Sequence, residues 1–374
     1  MLNARFAPRF GVVIDSRARA PKIPATESLF AHPKLSGLPN VSPSKTLADP
    51  IFITMPWGAL HNYGHFVLDC LTGVEAAIRL DDTRRRFVFP PLKGWQRDHL
   101  RLMDVEWEEL SEDWYHASDV IYTSCMSEFL HSPNELYQQV AERQLAKLPP
   151  IDVSSRIKIY ISRRGLEKRS CPDEPKLEDQ LSDHGFTIII PEEMPVVDQI
   201  TLFNRAAVIV GLSGAGFANA IYCRPHTKII EIQPELARGI WVRNICAMAG
   251  LEWSPYFCES EPAKVAIKIG GIERPEVGIT TRFDVDDLLT FILAAEMMTM
   301  TTDRALNEIK QGFVFRDMLG GWKRHAEGSP IIPDEVARAL VLSGAAKIKS
   351  LDDAQQVLVD AAADTPQLDA LNCA

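Results

Sequence analysis

The stretch IVGLSGAGFANAIYC, residues 209–223, joins an apolar run to a cluster of small residues and then to a predicted helix. The small residues are Ser213, Gly214, Ala215 and Gly216. At a helix start their backbone N–H groups, with the helix dipole behind them, could bind an anion such as phosphate. Alternatively, GLSGAG approximates the Gly-x-Ser-x-Gly elbow of a hydrolase, in which Ser213 would be the nucleophile.

Two arginines and one glutamate favour the anion-binding interpretation of this turn. Arg163 and Arg169 follow the apolar pattern RIKIYIS, and guanidinium groups pair bidentately with phosphate oxygens. Glu231 lies at the end of another apolar run, TKIIEI. A carboxylate at such a strand end could accept hydrogen bonds from a ribose. A ligand containing phosphate is therefore the favoured partner of the small-residue turn.

A histidine and an aspartate in the first half of the chain could do proton chemistry. His65 and Asp69 are four residues apart in HNYGHFVLDCLTGVEAAIRL, a stretch with helical spacing of its apolar residues. Residues four apart lie on one helix face, so the aspartate could orient the imidazole of a general base. A buried hydrogen-bonded pair that fixes the helix on a sheet is an equally good interpretation. The sequence leaves both open.

An Asp-x-Asp motif occurs in DVDD, residues 284–287, and carboxylates at this spacing hold a divalent metal in some enzymes. Here Asp284 directly precedes the apolar pattern LLTFILAAEMM. The acidic residues are better explained as an N-cap and a first helical turn that complements the helix dipole. We therefore predict no metal site from this motif.

The elements that must position these residues form a regular alternation from residue 156 onward. Continuous Val and Ile strands alternating with short helices indicate an α/β fold with a parallel sheet covered on both faces. Ligands bind at the carboxyl ends of such strands, which is where SRRG and SGAG lie. The predicted strands are RIKIYIS, FTIII, AVIVGL and TKIIEI, and the predicted helices are PKLEDQLSDHG and VVDQITLFNRA.

The first half of the chain shows a similar rhythm. The helix that contains His65 is followed by the strand patterns RFVFPP and DVIYTS. A further helix is predicted in SPNELYQQVAERQLAKL, with Ser132 as N-cap, Pro133 at the first helical position and Glu135 completing a capping box. The first half is therefore also predicted to be α/β.

The domain organisation follows from breaks in these patterns. The prolines and small polar residues of PPIDVSS, residues 149–155, are typical of a linker. We predict an N-terminal domain over residues 1–150, a second domain over residues 151–302 and a helical tail over residues 303–374. The tail helices are predicted in ALNEIKQGFVFRDML, DEVARALVLSG and DDAQQVLVDAAA.

Composition excludes several classes of protein. The chain has 374 residues, of which 46% are hydrophobic. Its formal net charge of -10 disfavours a surface that binds nucleic acid or an anionic membrane. No stretch resembles a signal peptide or a transmembrane segment, so a soluble cytoplasmic protein is expected. The seven cysteines lack any C-x-x-C pair. They are expected to be reduced thiols without a metal.

Three stretches together resemble the signature blocks of glycosyltransferase family 61, in order: NYGHFVLDCL, IYISRRG with RSCPDE, and AAVIVGLSGAGFANAIYCRPHTKIIEI. The resemblance covers about residues 55–235. It implies a GT-B-like fold, with two Rossmann-like domains facing across a cleft. It also implies an inverting, metal-independent transfer from a nucleoside diphosphate sugar to a saccharide acceptor, with no other cofactor.

The resemblance assigns roles to particular residues. His65 and Asp69, the candidate catalytic pair, match positions of the first block. Ser213 and Asp173 are departures, since the family usually has His and Asn at these positions. The donor-binding residues that the resemblance implies are Ser162, Arg163, Arg169, Glu174, Ser213, Gly214, Ala215, Gly216, Asn219 and Glu231.

The resemblance further implies a role in surface or capsular polysaccharide synthesis. The tail, residues 303–374, could mediate self-association or docking to a partner enzyme.

Two alternatives to a glycosyltransferase stay open: an α/β-hydrolase with Ser213 as nucleophile, and a non-catalytic nucleotide-binding protein with the same fold.

Overall fold

The structure is a computed structural model, and the fold divides into two units. The first unit comprises Met1–Ser155, Pro191–Arg205 and Gly214–Arg224, and the second comprises Arg156–Ile190, Ala206–Ser213 and Pro225–Ala374. The boundaries predicted at residues 150 and 302 stay predictions. The structure describes residues 2–8, 12–14, 45–47, 51–53, 55, 57–80, 86–112, 114–123, 134–152, 154–166, 169–269, 272–297, 314–316 and 322–324.

The first unit contains a mixed sheet in which β7 is central. Its strand order is β2-β1-β7-β4-β5-β6, and β3 also pairs with β7. The strands β3 to β7 run parallel wherever they pair, whereas β1 is antiparallel to both of its neighbours. The strands are β1 (Leu2–Ala7), β2 (Val12–Ile14), β3 (Lys45–Leu47), β4 (Ile51–Ile53), β5 (Arg86–Phe89), β6 (Trp107–Glu109) and β7 (Tyr115–Tyr122).

The helix predicted around His65 is present but is not uniform. Asn62 begins it as N-cap, because its side chain accepts a hydrogen bond from the backbone N–H of His65 at 3.2 Å. A single π-helical turn interrupts the α-helix. The consecutive segments are α1 (Tyr63–His65), the π turn (Phe66–Cys70) and α2 (Leu71–Arg79).

Three further helices complete the described secondary structure of the first unit, together with short 3-10 segments. The predicted helix after residue 131 begins at Glu135, where the Asn134 side chain accepts from the N–H of Leu136 at 3.0 Å. Asn134 is therefore the cap, and the prediction of Ser132 was wrong; Ser132 and Pro133 lie outside the described residues. The helices are α3 (Gly94–Met103), α4 (Glu135–Leu145) and α6 (Val196–Arg205), and the 3-10 segments are Trp57–Leu60, Pro191–Glu193 and Ala215–Tyr222.

The second unit contains the predicted parallel sheet. Its order is β10-β8-β11-β12-β13-β14-β9, and the first five strands are parallel. The long strand β13 was not predicted: it pairs with β12 along its first part and with β14 along the rest. The strands are β8 (Ile157–Ile161), β9 (Arg169–Ser170), β10 (Phe186–Ile189), β11 (Ala206–Leu212), β12 (Lys228–Pro234), β13 (Glu252–Ile269) and β14 (Ile272–Arg282).

Two helices cover one face of this sheet, and alternating strand residues meet them. Val208, Val210 and Leu212 of β11 share a buried core with apolar residues of both helices. The intervening residues of β11 therefore face the opposite side of the sheet. The covering helices are α5 (Glu174–Asp183) and α8 (Val285–Met297); the unit also contains α7 (Trp241–Ala249) and the 3-10 segment Glu235–Ala237.

The acidic DVDD motif is a helix cap, as the sequence predicts. The Asp284 carboxylate accepts hydrogen bonds from the N–H groups of Asp286 and Asp287, both at 2.9 Å. Asp286 also accepts from the Gln180 side chain at 3.0 Å. These contacts account for the acidic residues at the start of α8.

The predicted tail is described at two short segments only. Strands β15 (Val314–Arg316) and β16 (Trp322–Arg324) pair antiparallel. The helix predicted in ALNEIKQGFVFRDML is therefore wrong at residues 314–316, where Val314 and Phe315 are residue types with high strand propensity. Among all described residues, no helix combines the length and apolar character needed to cross a bilayer.

Candidate functional site

His65 and Asp69 meet in the first unit, as their spacing predicts. His65 Nδ1 lies 2.6 Å from Asp69 Oδ2. The Asp69 side chain is 1% exposed, whereas that of His65 is 24% exposed. In the neutral imidazole tautomer whose Nδ1–H donates to this enclosed carboxylate, Nε2 is the ring nitrogen that can accept a proton. The pair can therefore take a proton from a group that reaches the imidazole.

The π turn that carries Asp69 has its own hydrogen-bond support. All five residues from Phe66 to Cys70 are buried, so the turn is packed on every side. The Thr72 hydroxyl donates to the carbonyl oxygen of Leu68 at 2.7 Å and lies 3.2 Å from that of Asp69. Single π turns are frequent at functional sites, where they re-aim side chains. The sequence pattern predicted the helix here but not the turn.

The small-residue turn lies close to this helix. A Cβ added to Gly64 would meet the Cα of Ala215 at 3.8 Å. The segment that follows Gly214 is a 3-10 helix, Ala215–Tyr222. The sequence pattern predicted a helix here but not its type. Gly214 itself is extended, with φ 179°, and its carbonyl accepts from the N–H of Phe217 at 3.1 Å. The first unit thus brings Ala215, the first residue of the 3-10 helix, close to α1.

Asn219, a predicted donor-binding residue, is enclosed in the first unit. It is fully buried, and its Oδ1 accepts from the Tyr63 hydroxyl at 2.6 Å. Its Nδ2 donates to Gln199 Oε1 at 3.0 Å. Both ends of the amide are therefore occupied by protein groups. Asn219 thus ties the 3-10 helix to α1 and to Gln199.

A buried polar network extends from Tyr63 through residues that sequence reasoning missed. His99 Nε2 lies 3.2 Å from the Tyr63 hydroxyl oxygen, and His99 Nδ1 lies 3.2 Å from Gln144 Oε1. The Tyr222 hydroxyl donates to the same Gln144 oxygen at 2.7 Å. Burial lowers the pKa of His99 to about 4. In the sequence, the signal for this network was the presence of a polar residue among the apolar positions of each helix: His99 in α3 and Gln144 in α4.

Glu231 is the buried acid of the second unit. It is fully enclosed on β12, and its Oε2 accepts from the Trp253 indole N–H at 2.8 Å and from Gln233 Nε2 at 2.9 Å. Burial raises the pKa of its carboxyl to about 7. The hydrogen bonds from Gln233 and Trp253 and the charge of Arg169 act in the opposite direction and are outweighed.

Arg169 and Ser213 meet beside Glu231. Arg169 Nη1 donates to the Ser213 carbonyl oxygen at 2.7 Å, and burial lowers the pKa of this guanidinium. The N–H of Ser213 donates to the Ile232 carbonyl at 2.9 Å, and Ser213 is 2% exposed. A nucleophile elbow presents an exposed serine hydroxyl. The burial of Ser213 therefore disfavours the hydrolase alternative.

Ser162, Arg163 and Glu174 lie together at the carboxyl end of β8. Glu174 Oε1 accepts from the Arg163 backbone N–H and from the Tyr160 hydroxyl, both at 2.9 Å. Ser162 Oγ accepts from the Arg164 backbone N–H at 3.1 Å. Burial raises the pKa of Glu174. Ser162 and Glu174 therefore shape the loop that carries Arg163.

The predicted site residues thus fall into two groups. The Ser213–Gly214 peptide bond is one of the points at which the chain passes from one unit to the other. Among the described residues, no group of three His, Cys, Asp or Glu side chains is arranged to hold a metal ion. The first unit holds His65, Asp69, Gly214, Ala215, Gly216 and Asn219, and the second holds Ser162, Arg163, Arg169, Glu174, Ser213 and Glu231.

Comparison with known proteins identifies one family. Residues 63–230 match the family model Glycosyltransferase 61. The matched range includes every predicted site residue except Glu231, which follows it directly. No curated protein matches the chain.

Proposed function

Residues 63–230 match the glycosyltransferase family 61 model, and from this premise we propose that the protein is an inverting glycosyltransferase with the GT-B fold. It transfers a sugar from a nucleoside diphosphate sugar to a saccharide acceptor. We further propose that it acts in the cytoplasm in the synthesis of a surface or capsular polysaccharide. The family match supports glycosyl transfer.

The observation that carries the proposal is the pair of His65 and Asp69. Inversion requires an acceptor hydroxyl to lose its proton as its oxygen attacks the anomeric carbon. In the proposed step His65 Nε2 takes that proton, while the buried Asp69, 2.6 Å from Nδ1, stabilises the imidazolium that forms. The bond between the anomeric carbon and the diphosphate oxygen breaks, and the diphosphate leaves with the electron pair.

Arg163 and Arg169 are proposed to bind the donor diphosphate. Arg163 lies just after the carboxyl end of β8, where parallel α/β sheets bind ligands, and Arg169 begins the short strand β9. Their fixed positive charges stabilise the negative charge that develops on the leaving diphosphate. The backbone N–H groups of residues 214–216 are proposed as further donor contacts. Glu231 is assigned to the support of Arg169 and Ser213, because its enclosed carboxylate is unsuited to a ribose.

Replacing Arg163 with alanine is expected to weaken binding of the nucleoside diphosphate sugar by about 1.5–3 kcal/mol, through loss of a charge-assisted hydrogen bond. Calorimetric titration with UDP- and GDP-linked sugars measures the affinity. Arg164→Ala is the matched control, because Arg164 is an adjacent, exposed arginine that pairs with Glu178. Equal losses in the two variants would contradict the assignment of Arg163. Absence of binding to all these ligands would contradict the proposed function.

Transfer is expected to be unaffected by a chelator such as EDTA, since arginines and backbone N–H groups stabilise the leaving group in this proposal. Turnover measured with EDTA and with added Mn²⁺ should agree within error. Loss of turnover in EDTA and its recovery with Mn²⁺ would contradict metal independence. Such a result would direct attention to the capping residues Asp284 and Asp286.

A further inference from the structure

A hydrogen bond joins two of the sequence blocks in the first unit. The Tyr63 hydroxyl, on α1, donates to Asn219 Oδ1, on the 3-10 helix, at 2.6 Å. Tyr63 lies two residues before His65, and Asn219 lies three residues after Gly216. The bond therefore links the start of the helix that carries the proposed base to the segment that begins with the small-residue turn.

The side-chain amide of Gln199 determines which group donates in the bond between Tyr63 and Asn219. Gln199 Nε2 donates to the carbonyl oxygens of Pro191 and Met194, at 2.8 Å and 3.1 Å. Its Oε1 must then accept from Asn219 Nδ2. This leaves Asn219 Oδ1 facing Tyr63, which must donate its hydroxyl proton. Asn219 Oδ1, at 2.6 Å, is also nearer to the hydroxyl than His99 Nε2, at 3.2 Å, and is therefore the favoured acceptor of its proton.

Packing allows little movement around this bond. Asn219 is fully buried and Gln199 nearly so. A Cβ added at Gly64 would lie 3.8 Å from Ala215, an ordinary van der Waals distance, so α1 and the 3-10 helix are packed close together here. A buried polar group that loses its partner is costly, so the two segments are held in one relative position.

We propose that Tyr63 and Asn219 are positioning residues, whose hydrogen bond sets the place of His65 relative to the 214–216 turn. This inference rests on the proposed function, in which His65 is the base and the turn contacts the donor. A displacement of about 1 Å between a base and its substrate can lower turnover by about a hundredfold. The bond therefore acts on turnover through the position of His65 and not through contact with the substrate.

The test compares two variants that each lose one buried tyrosine hydroxyl from the same network. Tyr63→Phe removes the bond to Asn219, and turnover is expected to fall about 10-fold or more at unchanged donor affinity. The matched control Tyr222→Phe removes the bond to Gln144 instead, and its turnover should stay near that of the native protein. Asn219→Ala removes the acceptor of the same hydrogen bond, and its turnover should fall as it does in Tyr63→Phe. Equal turnover in Tyr63→Phe and Tyr222→Phe would overturn the proposal.

A second measurement does not depend on activity. Histidine labelled with ¹³C reports the environment of the His65 ring by NMR, and His65→Gln identifies its signal by loss. The signal should shift in Tyr63→Phe and stay in place in Tyr222→Phe; an unshifted signal in Tyr63→Phe would overturn the positioning role. If this shift occurs but His65→Gln transfers sugar at the native rate, the proposed base is wrong and the positioning of the helix stands.

Discussion

Replacing His65 with alanine is expected to lower turnover by about 10²–10⁴-fold, the usual loss on removal of a general base. Donor affinity should remain nearly native, because the diphosphate is assigned to Arg163 and Arg169. The effect is large because Asp69 already orients the imidazole in the protein without substrate. Donor affinity by calorimetry, turnover with saturating donor, and thermal stability together separate this outcome from simple unfolding.

Asp69→Asn provides the companion measurement. An amide in place of the carboxylate cannot stabilise the imidazolium, so a loss of turnover of similar character is expected. Native turnover in the folded fraction of either variant would show that the pair only fixes the helix. The search for the base would then move to Asp119 and Glu135.

Glu231→Gln is expected to change the pH dependence of stability. The carboxyl has a pKa of about 7 in the folded protein and an ordinary value of 4.5. The folded state therefore holds the proton more tightly, so this group makes the free energy of unfolding fall as pH rises from about 4.5 to 7. Glutamine does not titrate and removes this fall. The difference in unfolding free energy between variant and native protein should grow by about 3 kcal/mol in favour of the variant between pH 4.5 and 8.

Denaturant titrations at a series of pH values measure this difference, and subtraction cancels the other titrating groups. Glu259→Gln, an exposed glutamate on β13, is the control. A pH-independent difference for Glu231→Gln would contradict the raised pKa. Glu174, whose pKa burial also raises, titrates equally in both proteins and does not affect the comparison.

Much of the second unit could be predicted because its pattern is local. The Val and Ile runs at β8, β10, β11 and β12 are bounded by turn residues, and the structure has strands at all four. The acidic cap of α8 followed from one aspartate placed before an apolar period. The meeting of His65 with Asp69 followed from helical spacing alone.

The features that sequence reasoning missed depend on contacts between distant segments. The enclosed position of Asn219 results from Tyr63, 156 residues earlier, and from Gln199. The cap at Asn134 was missed because Ser132 also fits the capping pattern and only the backbone geometry decides between them. Burial of Glu231 follows from Trp253 on β13, a strand that the local pattern did not predict.

The most direct test of the central claim is product analysis by NMR after the purified protein is incubated with nucleoside diphosphate sugars and a panel of saccharide acceptors. We expect a released nucleoside diphosphate and a new glycosidic bond in equal amounts, with the anomeric configuration opposite to that of the donor. The bond should be absent when His65→Ala replaces the native protein. A product that retains the donor configuration, or a folded protein that binds the donor yet forms no glycosidic bond with any acceptor, would contradict the account.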